Sequence, residues 1–388
     1  MLAFVPAILA QPASPQVHYP DASKILFWSP QEKPFGFRNM EKVLPGHAVK
    51  RGPRIHPLPY ASAAFEVSYR YKDSSWNTAR FMEANNVAGL LVIHEGTILL
   101  ERYALGFDER SRWTSFSVAK SVTSTLLGVA IRDGNIPSID EPVTRYLPGL
   151  KDSAYEGVSI RHVLNMTSGV KWNEDYTDAA SDVSRFAFST DASRGSPLVT
   201  YMAKLPREAA PGEKFVYKTG ETNLAGEIVM AATKKKLADY LSEKIWAPSG
   251  MEQDAFWIAI EGRELAGCCL SMSLRDYGRF ALFFLKGASE VTPPNWAADA
   301  VTATEASRSA LAPGSGYGYQ WWVGIDGAGT YSAIGIFGQR IYFNPARKLI
   351  AVVLSAWPAA QDRGRTEAVR AFQNAVADAV NITPSPLP

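Results

Sequence analysis

Two hairpin patterns far apart in the chain constrain its fold more than any other feature. Ala88-Gly-Leu-Leu-Val-Ile93 and Thr97-Ile-Leu-Leu-Glu-Arg-Tyr103 flank His94-Glu95-Gly96, which is two strands around a glycine turn. Gln339-Arg-Ile-Tyr-Phe343 and Leu349-Ile-Ala-Val-Val-Leu354 flank Asn344-Pro345-Ala346-Arg347 in the same way, and a helical pattern follows from Thr366 to Val380. Between the hairpins the clearest patterns are helical, at Ser117 to Ile131, Ser159 to Asn165, Asn223 to Ala232 and Leu274 to Leu285. Strands at both ends with helices between them predict an α/β fold of the α+β kind. Both ends of the sequence complete one antiparallel sheet flanked by helices, and a mostly helical lobe is inserted into it.

At 388 residues the chain exceeds what one ordinary core holds, so two packed lobes or one domain with a large insertion are expected. Residues 11 to 60 carry many prolines and little periodicity, which predicts an extended arm over the surface. The expected division is an N-terminal extension at 1–60 and a main domain at 61–388, with the helical lobe at about 125–265. Leu2 to Ala10 form an apolar run followed by Gln-Pro-Ala-Ser-Pro, resembling a signal h-region and cleavage site and favouring export over a cytoplasmic location. No Lys or Arg precedes the run, so the charged n-region is missing. No run long enough to span a membrane occurs elsewhere.

Hydrophobic residues at 46% and charged residues at 20% make a globular composition. The net charge is +2 and the only basic run, Lys234-Lys235-Lys236, is expected on a solvated helix face, which leaves no nucleic-acid patch. Cys268 and Cys269 are adjacent and are expected to pack without bridging to each other. The five histidines (18, 47, 56, 94, 162) show no ligand spacing, so neither a metal nor another cofactor is called for. No G-x-S-x-G occurs, which argues against a Ser-His-Asp hydrolase.

The chemistry concentrates in Trp113-Thr-Ser-Phe-Ser117-Val-Ala-Lys120-Ser-Val. Apolar residues at 118, 119, 122, 126, 129 and 130 keep helical spacing, which sets Ser117 in the first turn and Lys120 on the same face. A serine hydroxyl needs a base, and a lysine serves if burial lowers its pKa. S-x-x-K alone is weak: Ser168-Gly-Val-Lys171 matches too, in a segment that looks like a turn. For an isolated match, a solvated lysine and a capping serine are the better account.

In context the first match resembles the active-site segment of the class C β-lactamase-like serine hydrolases, which include penicillin-recognising enzymes, esterases and 6-aminohexanoate-dimer hydrolases. Gly134 to Pro148 and Ser159 to Gly169 are similar to the next two family segments, and the resemblance spans roughly residues 80 to 380. It implies a β-lactamase/transpeptidase-like fold. It also implies a tyrosine followed two residues on by Asn or Ser, for which Tyr217 with Thr219 is the counterpart. A phenol beside a lysine ammonium can have a lowered pKa and relay a proton to the leaving group. The family's Lys-Thr-Gly or His-Thr-Gly strand is matched by Ala333-Ile334-Gly335-Ile336-Phe337-Gly338, with Ala333 in place of the cation. A literal Lys218-Thr219-Gly220 directly follows Tyr217, in the wrong chain order, and is read as coincidence.

The resemblance therefore implies an amidase or esterase working through Ser117, Lys120 and Tyr217, with the backbone amides of Ser117 and Ile336 as oxyanion hole. Val170 to Val183, Gly316 to Val323 and Gly335 to Gln339 are most similar to the 6-aminohexanoate-dimer hydrolase branch, which makes Tyr176, Trp322 and Gly335 candidate substrate contacts. Trp321 is expected in the core. The expected substrate is a small-molecule amide or ester; the sequence assigns no oligomeric state. The first rival is a penicillin-binding or β-lactamase-type enzyme acting on β-lactams or peptidoglycan stem peptides, which the loss of a cation at Ala333 disfavours. The second is a non-catalytic binder, which the presence of Lys120 and Tyr217 disfavours.

Overall fold

The computed structural model describes residues 17–380, and the apolar run at residues 2–10 lies outside them. Seven strands form the central sheet, in the order Gly316–Tyr317, Trp322–Val323, Tyr331–Gly335, Gln339–Asn344, Leu349–Ser355, Val87–His94 and Thr97–Tyr103. Every neighbouring pair is antiparallel, and Leu91 lies opposite Val352 where the two distant hairpins meet. The first hairpin turns through Glu95 and Gly96, both at positive φ (50° and 83°), the pairing that suits a tight two-residue turn.

Val87–His94 is apolar almost throughout because helices cover both of its faces. Leu91 and Ile93 point with Ile350, Val352 and Leu354 into the larger core, under the helix Leu274–Leu285. Gly278 on that helix permits the close approach, since a Cβ there would stand 2.7 Å from Leu91 Cδ2. Leu90 and Val92 point the other way with Ala351 and Val353, against the closing helix Arg363–Ala379. Phe372 of that helix stacks on Phe81 with ring centroids 4.1 Å apart.

The predicted helices at 117, 159, 223 and 274 occur as Ala119–Arg132, Ile160–Leu164, Thr219–Thr233 and Leu274–Leu285. The antiparallel sheet with helices against it and a helical region between its two halves is the architecture that the hairpin spacing predicts. Ala119–Arg132 packs along Thr219–Thr233, and the two are almost wholly buried. Among the described residues no helix is long and apolar enough to cross a membrane.

Three expectations need correction. The proline-rich segment is not simply extended: it forms Glu32–Arg38, Met40–Val43 and the strand Gly46–Val49, which pairs with Ala255–Ile260 in a second sheet. Trp28, Phe37 and Met40 enter the large core, so apolar residues too sparse to show periodicity still anchor the segment. Cys268 and Cys269 are bonded to each other, with Cys269 in the left-handed region at φ 69°, a turn that brings neighbouring side chains together. Lys234 ends its helix at φ 59°, so the basic run occupies the exposed turn after Thr233 rather than a helix face.

Candidate active site

Ser117 sits where the short strand Trp113–Thr114 gives way to a single 3-10 turn, Phe116–Val118, and then to the helix Ala119–Arg132. Phe116 has φ 43°, a conformation that a bulky residue adopts only when its surroundings impose it. Those surroundings are aromatic: Phe37 and Phe337 meet the Phe116 ring edge-on at 4.9 and 5.2 Å. Trp113 Nε1 donates to Gln339 Oε1 at 3.0 Å, which ties the turn to the central sheet. Gln339 also donates to the carbonyls of Phe337 and Ser355, at 3.0 and 2.8 Å, and so fixes the end of the neighbouring strand.

Lys120 is 1% exposed and donates to three oxygens: Ser117 Oγ at 3.1 Å, Thr219 Oγ1 at 2.9 Å and the Gly267 carbonyl at 2.8 Å. Burial lowers the amine from 10.5 to about 8, opposed by the nearby Glu174 carboxylate. Asn223 holds the two acceptors in register, donating to the Thr219 carbonyl at 2.9 Å and accepting from Gly267 N at 3.3 Å. Thr219 Oγ1 in turn donates to Glu174 Oε1, and Thr219 N donates to Glu174 Oε2 at 2.9 Å. Trp172 Nε1 and Tyr176 OH are further donors to that carboxylate, the latter at 2.6 Å.

The Lys120 amine lies 5.3 Å from the centre of the Tyr217 ring. Trp322 stacks on the other ring neighbourhood of Tyr217 at 5.3 Å and 23°, which restricts the phenol's rotation. The expectation of a lowered tyrosine pKa is overturned. Burial first, and then Glu174, hold the Tyr217 phenol well above the ordinary tyrosine range, although a hydrogen bond with Ser117 pulls it down. Tyr217 is therefore a proton donor at rest.

The strand Tyr331–Gly335 ends against the turn Phe116–Val118. A Cβ on Gly335 would stand 2.5 Å from the Ser115 carbonyl and 3.0 Å from Ser117 N, so glycine is what lets the two backbones meet. Ile336 follows at the cleft wall, beside Ser117. Ala333 does not line that wall: it is 1% exposed in the large core, and Ile334 is the strand residue facing the cleft. Ser117, Tyr217, Tyr176, Trp322, Gly335 and Glu174 all border one cleft of about 690 Å³.

Trp321 is fully buried and stacks on Phe284 at 4.1 Å, away from the site as expected. Lys171 is exposed while Ser168 is buried, so the second S-x-x-K forms no pair. Lys218 of the literal Lys-Thr-Gly is buried 3.7 Å from Glu221. Glu174 and Asn223 enter the site without having been assigned a role from sequence, whereas Thr219, the counterpart of the family's Asn or Ser, accepts from Lys120. Glu174 has a faint signal, standing two residues before Tyr176 so that both can turn to one side of a loop.

The family model described as Beta-lactamase matches residues 77–375. A 6-aminohexanoate-dimer hydrolase from Paenarthrobacter ureafaciens is 29% identical over 84% of this chain and 87% of its own length. Among solved structures, a 6-aminohexanoate-dimer hydrolase-like protein from Bacillus anthracis superposes with TM-score 0.80 at 21% identity, over 95% of this chain and 100% of that one. A penicillin binding protein from Bacillus halodurans reaches TM-score 0.61 at 17% identity, over 76% and 99% of the two chains.

Proposed function

Because the chain belongs to the β-lactamase family of serine hydrolases, we propose that it cleaves amide or ester bonds of small molecules with Ser117 as nucleophile, in the manner of 6-aminohexanoate-oligomer hydrolases. What carries this is the polarity around Lys120. A neutral lysine has two N–H donors and one lone pair. The Gly267 carbonyl can only accept, and the Thr219 hydroxyl already donates its hydrogen bond to Glu174, so these two accept from the N–H groups. The lone pair is left for the proton of Ser117 Oγ, 3.1 Å away. With the amine at about 8, roughly one molecule in ten holds the base neutral at pH 7.

Ser117 Oγ then bonds to the substrate carbonyl carbon while its proton passes to Lys120. The amides of Ser117 and Ile336 receive the oxyanion, helped by the positive end of the helix that begins at Ala119. Collapse breaks the bond to the departing nitrogen or oxygen, which takes the Tyr217 proton, and Lys120 restores that proton to Tyr217. A water attacks the acyl-enzyme by the same route reversed, giving the acid and free Ser117. A β-lactam carboxylate finds no cation at position 333, where Ala333 faces the core.

The test is a panel of p-nitrophenyl esters, 6-aminohexanoate dimer and nitrocefin, with Ser117→Ala, Lys120→Ala and Tyr217→Phe beside the wild type. Ester or amide turnover should fall roughly a thousandfold or more in the first two variants. Wild-type turnover by Ser117→Ala would remove the nucleophile assignment. Nitrocefin cleaved faster than any ester or amide would move the activity to β-lactams.

A further inference from the structure

A second chamber, of about 110 Å³, opens on Ser117, Tyr176 and Ile336, and Tyr217 is not among its lining residues. Its walls combine Phe186, Ile258, Leu265 and the bonded Cys268–Cys269 with Ile25 and Leu26 of the N-terminal segment, which lies outside the family-matched region. None of its lining residues is charged. Phe27 and Phe188 also line it and are each 50% exposed, two of the six large apolar side chains that the described surface leaves open. Large exposed aromatics around an apolar hollow mark a binding surface rather than chance exposure.

Which half of the substrate enters follows from where the proton donor stands. Tyr217 borders the large cleft and not the chamber, while Ser117 and Ile336 border both. The departing atom must lie beside Tyr217, so the leaving group occupies the large cleft and the acyl group turns to the chamber. We propose that this chamber binds an uncharged aliphatic acyl chain and makes the enzyme selective for medium-length acyl esters or amides; this rests on Ser117 and Tyr217 acting as described above. An acyl chain ending in an ammonium would meet no carboxylate among the chamber's lining residues and would lose its hydration there.

The experiment measures kcat/KM for p-nitrophenyl acetate, butyrate, hexanoate and heptanoate, together with the 6-aminohexanoate ester as the charged match for the last. The full-length wild type should gain about fourfold per methylene up to hexanoate, and the 6-aminohexanoyl ester should be at least about tenfold poorer than the heptanoyl. Ile25→Trp, which fills the chamber, should flatten the hexanoate-to-acetate ratio. Phe188→Ser, at the exposed rim, should lower the same ratio about threefold and guards against misfolding of the first variant. A flat series whose turnover still requires Ser117, or a charged ester as good as the neutral one, overturns the chamber's role while leaving the nucleophile in place. Turnover that survives Ser117→Ala overturns both.

Discussion

Replacing Glu174 by Gln should make the enzyme relatively better at acidic pH. The carboxylate reaches Lys120 through Thr219, two hydrogen bonds in series, a separation of about 5 Å. At an effective dielectric of about 20, opposite charges at that distance attract by roughly 3 kcal/mol, an upper limit of about two pH units on the lysine. Glu174 raises the amine, which burial has lowered to about 8, so removing the charge moves Lys120 further down. In the proposed mechanism Lys120 acts as base in its neutral form, so kcat/KM should rise with pH through the lysine pKa. Wild type should climb with one proton centred near pH 8, and Glu174→Gln one to two units lower. At pH 6.5 only about one wild-type molecule in thirty carries neutral lysine, against roughly a quarter to three quarters of the variant. Tyr217 does not confuse the profile, because burial remains the larger cause of its raised pKa. The assay is kcat/KM for a soluble p-nitrophenyl ester from pH 5.5 to 9.5, with Ser117→Ala as background and circular dichroism as a check on folding. A folded variant whose limb stays at the wild-type pH, or moves up, refutes the coupling through Thr219.

Lys120→Met should stabilise the fold as it abolishes activity. The unfolded lysine holds its proton to 10.5 and the folded one only to about 8, so folding works against protonation by about 3 kcal/mol at pH 7. The unfolded chain binds the extra proton between those two values, and the penalty fades as pH rises from 8 to 10.5. Urea melts should show the variant more stable at pH 7 by up to that amount and the gap narrowing towards pH 10.5; a gap independent of pH contradicts the assignment. Gly335→Ala should push the strand off the nucleophile turn, because its Cβ would lie 2.5 Å from the Ser115 carbonyl. A stability loss of about 1–3 kcal/mol and a fall in kcat larger than any change in KM are expected, and an unchanged kcat would separate Gly335 from the oxyanion geometry.

The sheet was legible because its strands carry continuous apolar runs bounded by Gly, Asn and Pro, and Val87–His94 and Leu349–Ser355 differ from the expected limits by about a residue. Ser117 and Lys120 were legible because one helical turn joins them. Thr219 was legible only through the family resemblance, and Asn223 and Glu174 were not, since their roles depend on a loop folding back from residues 172–176 and on a carbonyl at Gly267, contacts between distant segments that no local pattern encodes. The N-terminal segment was misjudged for a related reason. Trp28, Phe37 and Met40 are too irregularly spaced to give a period, yet each fills a place in the core. Tyr217 shows the limit of pairwise reasoning: an adjacent ammonium suggests a lowered pKa, and burial outweighs it.

The order of strands also decides when the molecule becomes an enzyme. Val87–His94 leaves the ribosome long before Leu349–Ser355, its partner on one side, and Ser117 long before Ile336. At typical synthesis rates of 5–20 residues per second the wait is on the order of ten seconds or more. During it an apolar strand has one edge unpaired, an invitation to aggregation that chaperones or slower, cooler expression would relieve. The same delay keeps the nascent chain chemically silent, since the cleft around Ser117 closes only when the last strands have been made.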